Sequence, residues 1–154
     1  MLQRRAARQA ALKAYYAVEV GKNSTQEATK EILKTELPGD TELLRFAEKL
    51  LLITVDHRAE YDEIISGYTK NWEVDRLATI DKFILRLALT ELLHFSDIPT
   101  KVSINEAIEL AKLFSTRNSG TFVNGILDSI ANDFIKSGRI EKKGRGLIDH
   151  SGGS

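Results

Sequence analysis

Three arginines near the N-terminus, Arg4, Arg5 and Arg8, are the residues whose type and spacing point most directly to a chemistry. Arg4 and Arg8 are four residues apart, so on a helix they face the same way. A cation near the start of a helix opposes the helix dipole, and stability therefore does not explain this placement. Because guanidinium groups pair with phosphate oxygens, the cluster favours an anionic partner such as a nucleic acid.

The net charge of zero hides an uneven distribution along the chain. Residues 1–13 carry +4, residues 136–145 also carry +4, and residues 14–135 carry −7. Two basic ends on an acidic body can bind a polyanion through a local patch while the body repels it elsewhere. The alternative, which charge alone leaves open, is that both ends are only solvated surface.

Phe122 follows the polar segment 115–121 and is the first apolar residue of a predicted helix. An exposed aromatic ring at this position can stack on an unpaired base, whereas the alternative is an ordinary core residue. Gly125 lies in mid-helix, where glycine costs about 1 kcal/mol relative to alanine. Close approach of another helix is the expected reason for it.

Tyr15 and Tyr16 are adjacent in the first predicted helix. Their side chains point about 100° apart, so both cannot face one core stripe. We expect one of the two rings to lie at the surface, where a partner can reach it.

Catalytic and metal-binding patterns are absent from the sequence. His57, His94 and His150 are far apart, and the chain has no cysteine, so neither a metal site nor thiol chemistry is supported. No G-x-S-x-G, P-loop or G-x-G-x-x-G motif occurs. We therefore expect a protein that is not an enzyme, with no catalytic residue, metal or cofactor.

The elements that must position these residues are helices. The apolar spacing is helical almost throughout and predicts an all-α fold, a compact bundle of about six or seven helices. Ser24 with Glu27, and Ser103 with Glu106, have capping-box spacing and predict helix starts. Residues 80–95 are apolar nearly all round, which is typical of a helix in the middle of a bundle.

The domain organisation follows from the turn signals. The boundary near residues 71–74 predicts an N-terminal helical subdomain, 1–70, and a C-terminal helical subdomain, 71–137, packed together. Gly138 is a plausible helix stop, and the glycine-rich residues 138–154 beyond it predict a flexible basic tail.

The compartment is indicated by two features. No apolar run of about 18 residues occurs, so no membrane span or membrane partner is expected. The N-terminus lacks the apolar segment of a signal peptide. The expected localisation is therefore cytoplasmic.

Four segments in order resemble the NusB family of transcription antitermination factors and cover roughly residues 3–135. The first is Arg4-Arg5-Ala-Ala-Arg8 followed by Ala14-Tyr15-Tyr16, and the second is Asp81 with Ile84-Leu85-Arg86-Leu87-Ala88 and Glu91-Leu92. The third is Asp97-Ile98-Pro99 followed by Ile104-Asn105-Glu106-Ala107 and Glu109-Leu110-Ala111-Lys112. The last is Phe122-Val123-Asn124-Gly125-Ile126-Leu127-Asp128.

The resemblance implies a function and a set of partners. It implies a two-part helical protein that binds boxA-type single-stranded nascent RNA together with NusE, a ribosomal protein that also serves in transcription. The complex would help RNA polymerase resist termination, notably in ribosomal RNA operons. The chain itself is expected to be a monomer or a weak homodimer.

The resemblance also implies roles for individual residues. The expected RNA contacts are Arg4, Arg5 and Arg8 on phosphates, and Asn118, Ser119 and Phe122 beside the bases. The expected NusE-facing residues are Tyr16, Asp81, Lys82 and Arg86. Two other functions stay open, a non-enzymatic helical protein–protein adaptor and an isolated RNA-binding module of the ribosomal RNA methyltransferase type.

Overall fold

In the computed structural model, residues 2–69, 77–116 and 118–147 are described, and they form helices joined by turns. No β-strand occurs in these three ranges, and the predicted all-α fold is confirmed. The chain divides into two compact units, Met1–Arg58 and Ala59–Ser154. The predicted boundary between residues 70 and 71 lies outside the described residues and stays a prediction.

The first unit contains two long helices with a broken helical segment between them. Ser24 and Glu27 begin that segment with reciprocal hydrogen bonds of 2.9 and 3.0 Å between side chain and backbone, so the predicted capping box is confirmed. The segment then passes through a π-helical turn. In chain order the elements are α1 (Leu2–Glu19), α2 (Thr25–Ala28), the π-helical turn (Thr29–Leu33), α3 (Lys34–Glu36) and α4 (Thr41–Asp56).

Small residues allow α1 to pack against α4. The buried face of α1 is largely alanine, with Ala7, Ala10, Ala11 and Ala14 almost fully buried. Because a methyl group takes little room, the two helix backbones can approach closely. The N-terminal arginines of α1 are thereby held beside α4.

The second unit contains α5 (Arg58–Ser66), which enters it from residue 59, α6 (Thr79–His94), α7 (Thr100–Phe114) and α8 (Ser119–Lys136). Helix α4 ends at Asp56 with His57 as its C-cap, and α5 begins at the next residue. With α2 to α3 counted as one, the described residues hold seven α-helical segments, within the predicted number. None of the helices in the described ranges is long and apolar enough to cross a membrane.

The central helix of the second unit is α6, as its apolar circumference predicted. It packs against both α7 and α8, and its residues from Phe83 to Leu92 are all buried. Two of its polar residues face α5. Arg86 forms a two-pronged ion pair with Asp62, through Nε at 2.8 Å and a terminal nitrogen at 2.7 Å. The Thr90 hydroxyl donates to the Tyr61 hydroxyl at 3.0 Å.

The second predicted capping box, Ser103 with Glu106, is wrong. Helix α7 begins at Thr100 with Pro99 as its N-cap, because proline has its φ already near the helical value. Ser103 therefore lies inside the helix, where its hydroxyl donates to Glu91 Oε1 at 2.9 Å. Both Ser103 and Glu106 are buried.

The sequence predicted a flexible tail after α8, and the structure shows residues 138–147, here called the C-terminal strap, in defined contacts with the second unit. Gly138 ends the helix with φ +81°, as predicted, and Ile140 is buried. The Lys142 ammonium, 5% exposed, donates to the carbonyls of Glu91 at 3.1 Å and Phe95 at 2.9 Å. These carbonyls belong to the C-terminal end of α6, where the helix dipole favours a cation.

Replacing the anchoring lysine tests this account of the strap. We expect Lys142→Met to lower the free energy of unfolding by about 2 kcal/mol, because it removes two hydrogen bonds from a charged donor. Lys143→Met, a change at the exposed neighbour, should stay within about 0.5 kcal/mol of the wild type. Urea denaturation measures both, and equal effects of the two changes would contradict the anchor.

The buried Tyr61 side chain should make the free energy of unfolding depend on pH. Burial raises the pKa of Tyr61 to about 12, above the value of about 10 in an unfolded chain. Its stabilising contribution is therefore complete below pH 10 and lost as the pH rises toward 12. By pH 11 the wild type should lose about 1 kcal/mol that Tyr61→Phe does not lose. Urea midpoints at pH 9 and 11 measure this, with the exposed Tyr16→Phe change as control; equal losses in all three proteins would exclude Tyr61 as the source.

Candidate functional site

The arginine cluster of α1 is arranged around one aromatic ring of α4. The Arg4 guanidinium carbon lies 4.8 Å from the centroid of the Phe46 ring, and that of Arg8 lies 5.4 Å from it. Both distances are typical of cation–π contacts. Arg4 and Arg5 are half-buried, so part of each residue is exposed at the surface.

Arg8 differs from the other two arginines. It is 2% exposed, so its guanidinium cannot meet a phosphate at the surface in this conformation. The predicted direct phosphate contact of Arg8 is therefore at odds with its burial. The contact with Phe46 supplies a physical reason, since an aromatic face stabilises a desolvated cation. The sequence analysis did not identify Phe46 as part of this cluster. The only sequence feature that could have indicated it is an aromatic residue beside the apolar face of α4.

A second cluster joins α6 to the start of α8, and it consists of Asp81, Ser115, Thr116 and Ser119. The Ser115 hydroxyl donates to Asp81 Oδ1 at 2.6 Å, and the Ser119 hydroxyl donates to Asp81 Oδ2 at 2.9 Å. Thr116 approaches the Ser119 oxygen with its hydroxyl at 2.9 Å and its backbone nitrogen at 3.3 Å. Asp81 lies in the first turn of α6, where the helix dipole favours a carboxylate.

This hydroxyl cluster corrects two predicted surface roles. Asp81 is 7% exposed and Ser119 is 3% exposed, because each satisfies the other's hydrogen-bonding groups in the interior. Neither side chain is presented to a partner in this conformation. Their effect is to hold the turn before α8, so that Asn118, which is exposed, and Phe122, which is half-buried, take fixed positions.

A cavity of about 600 Å³ opens beside the first turns of α8, here called the α8 cavity. Tyr68 and Phe122 contribute aromatic rings to its lining and Asn118 contributes an amide. The Tyr68 hydroxyl donates to Asp133 Oδ2 at 2.7 Å, and this bond raises the pKa of Tyr68, so the ring stays neutral. Aromatic faces with one amide form an arrangement that can receive a flat heterocycle and pair with its edge.

Gly125 also lines the α8 cavity. A Cβ atom added there would meet no described atom within 4 Å. The expected close approach of another helix is therefore wrong as far as the described residues show. The missing side chain instead leaves room in the cavity.

The residues predicted to face a protein partner behave differently from one another. Tyr15 is buried with its hydroxyl on Glu19 Oε1 at 2.8 Å, whereas Tyr16 is 43% exposed, which confirms that one ring of the pair lies at the surface. Val20, one turn further along the chain, is also exposed. Lys82 is half-buried.

Arg86 is the predicted partner-facing residue that the structure removes from the surface. It is 5% exposed, and Asp62 on α5 accepts hydrogen bonds from its Nε and one terminal nitrogen, which form one edge of the guanidinium. A paired, buried guanidinium is costly to expose. Arg86 therefore holds α5 to α6 in this conformation.

Across the described ranges, no three His, Cys, Asp or Glu side chains come together in a way that could hold a metal ion. His150 lies outside the described residues.

Comparisons with known proteins agree on one family. A model described as the NusB family matches residues 5–132. The Transcription antitermination protein NusB of Salinibacter ruber is 45% identical over 148 residues, 96% of this chain and 92% of that protein. T. maritima NusB superposes with a TM-score of 0.75 and 39% identity, over 84% of this chain and 91% of that chain. A chain from a crystal structure of antitermination factors NusB and NusE in complex with dsRNA superposes with a TM-score of 0.78 and 26% identity, over 86% of this chain and 98% of that chain.

The hydroxyl cluster predicts a coupled loss of stability. We expect Asp81→Asn and Ser119→Ala each to lower the free energy of unfolding by about 1–3 kcal/mol, since each leaves a buried polar group without its partner. The double variant should lose about 1 kcal/mol less than the sum of the two. Asp128→Asn, at an exposed carboxylate of α8, is the matched control. Additive losses in urea denaturation would show that the two side chains act independently.

Proposed function

The chain belongs to the NusB family, and from this premise we propose that it is a transcription antitermination factor that binds boxA-type single-stranded RNA together with NusE. It would act in the cytoplasm, on RNA polymerase that is transcribing ribosomal RNA operons, and without catalysing a reaction. The observation that carries the proposal is the α8 cavity, with its two aromatic rings and the exposed amide of Asn118.

The bases of the RNA would be bound at the α8 cavity. Single-stranded RNA is recognised through unstacked bases that stack on aromatic rings and pair along their edges. We assign the stacking contact to Phe122 and an edge contact to Asn118. Ser119, predicted to lie beside the bases, would act through its bond to Asp81 by holding the turn that carries both residues.

The phosphates would be bound by the arginine cluster of α1. Arg4 and Arg5 would make the direct contacts, while Arg8 would support them through the shared Phe46 ring. Such contacts give affinity that depends on salt and not on sequence. Specificity must then come from the α8 cavity.

NusE would bind through exposed apolar side chains at the C-terminal end of α1, and Lys82 of α6 would make a separate contact. Tyr16 lies in the last turn of α1 and Val20 directly follows the helix, where its amide donates to the Tyr16 carbonyl at 2.8 Å, and both side chains are exposed. An exposed tyrosine offers a large contact area at a low cost in side-chain entropy. The buried Asp81 and Arg86 would influence NusE binding only by positioning their neighbours.

Fluorescence anisotropy of labelled RNA tests the proposal. The RNAs are a boxA-type single strand, a scrambled single strand and a duplex, each with and without NusE at two salt concentrations. We expect preference for the boxA-type single strand, and tighter binding when NusE is present. Equal binding to all three RNAs, unchanged by NusE, would overturn the proposal and favour a protein–protein adaptor.

Two sets of variants separate the specific contacts from the electrostatic ones. Phe122→Ala and Phe122→Leu should both weaken boxA binding about tenfold, because stacking on a ring contributes about 1–3 kcal/mol per base. Arg4→Ala/Arg5→Ala should weaken all RNAs alike and reduce the salt slope by about 1.4. Lys30→Ala/Lys34→Ala removes the same charge from exposed positions of the first unit and should change neither. Full binding by Phe122→Leu would show that the residue acts only through its apolar volume.

A further inference from the structure

The C-terminal strap carries basic side chains that neither the fold nor the proposed RNA site uses. We propose that the strap is a second phosphate-binding surface, which contacts RNA lying beyond the specific element. This inference rests on the proposed function. The family model ends at residue 132, so the strap lies outside the part of the chain that the model covers.

The strap is held in one conformation by its own anchors. The Lys142 ammonium is bonded to two carbonyls at the end of α6, and the Lys143 amide donates to the Ser96 carbonyl at 2.9 Å. At Gly146 an added Cβ would collide with the Ser96 carbonyl oxygen. Any larger residue would therefore push the backbone away from the turn between α6 and α7.

The strap carries four cations and one exposed carboxylate, Glu141; the fold uses two of the cations. The Lys142 ammonium is hydrogen-bonded to carbonyls at the C-terminal end of α6. Arg139 lies over the Phe134 ring, 4.2 Å from its centroid, and 3.7 Å from Glu60 Oε1. Lys143 and Arg145 are exposed, and neither forms an ion pair with any residue in the described ranges. These two cations are therefore presented to solvent from an ordered backbone.

The chemistry of the strap fits phosphate rather than bases. Residues 138–147 include no aromatic residue and no amide side chain. The strap therefore cannot stack on a base with an aromatic ring or pair with a base edge through an amide. A lysine and an arginine on an anchored backbone bind phosphate oxygens with little further loss of chain entropy. The contact should add affinity without sequence preference.

The length of α8 sets the distance that an RNA must span between the α8 cavity and the strap. The helix has 18 residues, so its two ends are about 27 Å apart. The α8 cavity lies at its beginning and the strap follows its end. An RNA that covers only the specific element should not touch the strap, whereas a longer RNA can.

The experiment compares RNAs of two lengths on the full chain. One is the boxA-type single strand alone, and the others carry about ten added nucleotides at the 5′ end or the 3′ end. We expect one of the longer RNAs to bind wild type about fivefold more tightly than the short RNA, with a salt slope steeper by about 1.4. Lys143→Ala/Arg145→Ala should lose that increment and bind the short RNA as wild type does. Lys30→Ala/Lys34→Ala should keep the increment.

The outcomes distinguish this inference from the proposed function. Failure of every protein to prefer the short boxA-type RNA would overturn the proposed function, and the inference with it. Normal binding of the short RNA with no gain from either extension would overturn the inference alone. An equal loss of the increment in both double variants would also overturn it, because net charge would then explain the gain.

Discussion

The second unit depends on how one fully surrounded helix satisfies its polar side chains. Helix α6 is buried along most of its length, and a buried polar group without a partner costs about 1–3 kcal/mol. Each buried polar residue of α6 is therefore matched by a neighbouring element. Arg86 and Thr90 bind α5, Glu91 binds α7, and Asp81 binds the turn before α8. The terminal carbonyls of α6 bind the strap.

This constraint separates residues that hold a site from residues that can touch a ligand. Asp81 and Ser119 are buried and hydrogen-bonded to each other. Their hydrogen bond fixes the turn that presents Asn118 and Phe122. In the first unit the Phe46 ring contacts both the buried Arg8 and the half-buried Arg4. The proposed RNA contacts are thus side chains carried on polar networks that the RNA would not itself touch.

Sequence patterns within one segment predicted the helices of the fold. They could not predict which side chains pair between segments that are far apart in the sequence. Helical periodicity identified the helices, and the Ser24 capping box was correct because it needs only four consecutive residues. The Ser103 box failed because Pro99 starts the helix earlier, and Ser103 finds its partner on another helix. Family resemblance singled out Asp81 and Ser119 but could not tell an outward side chain from an inward one. The strap was missed because its anchors are α6 carbonyls, which leave no pattern in the sequence.

The most direct test of the central claim is to find where an unpaired base meets the protein. A boxA-type RNA carrying photoreactive 4-thiouridine would be crosslinked to the full chain with NusE present, and then digested with trypsin. Trypsin cleaves after lysine and arginine, and no such residue lies between residues 117 and 136. One peptide, residues 118–136, therefore contains the whole of α8, including Phe122. The account predicts that this peptide carries the main crosslink and that Phe122→Ala reduces it. Crosslinks confined to other peptides, with none on residues 118–136, would contradict it.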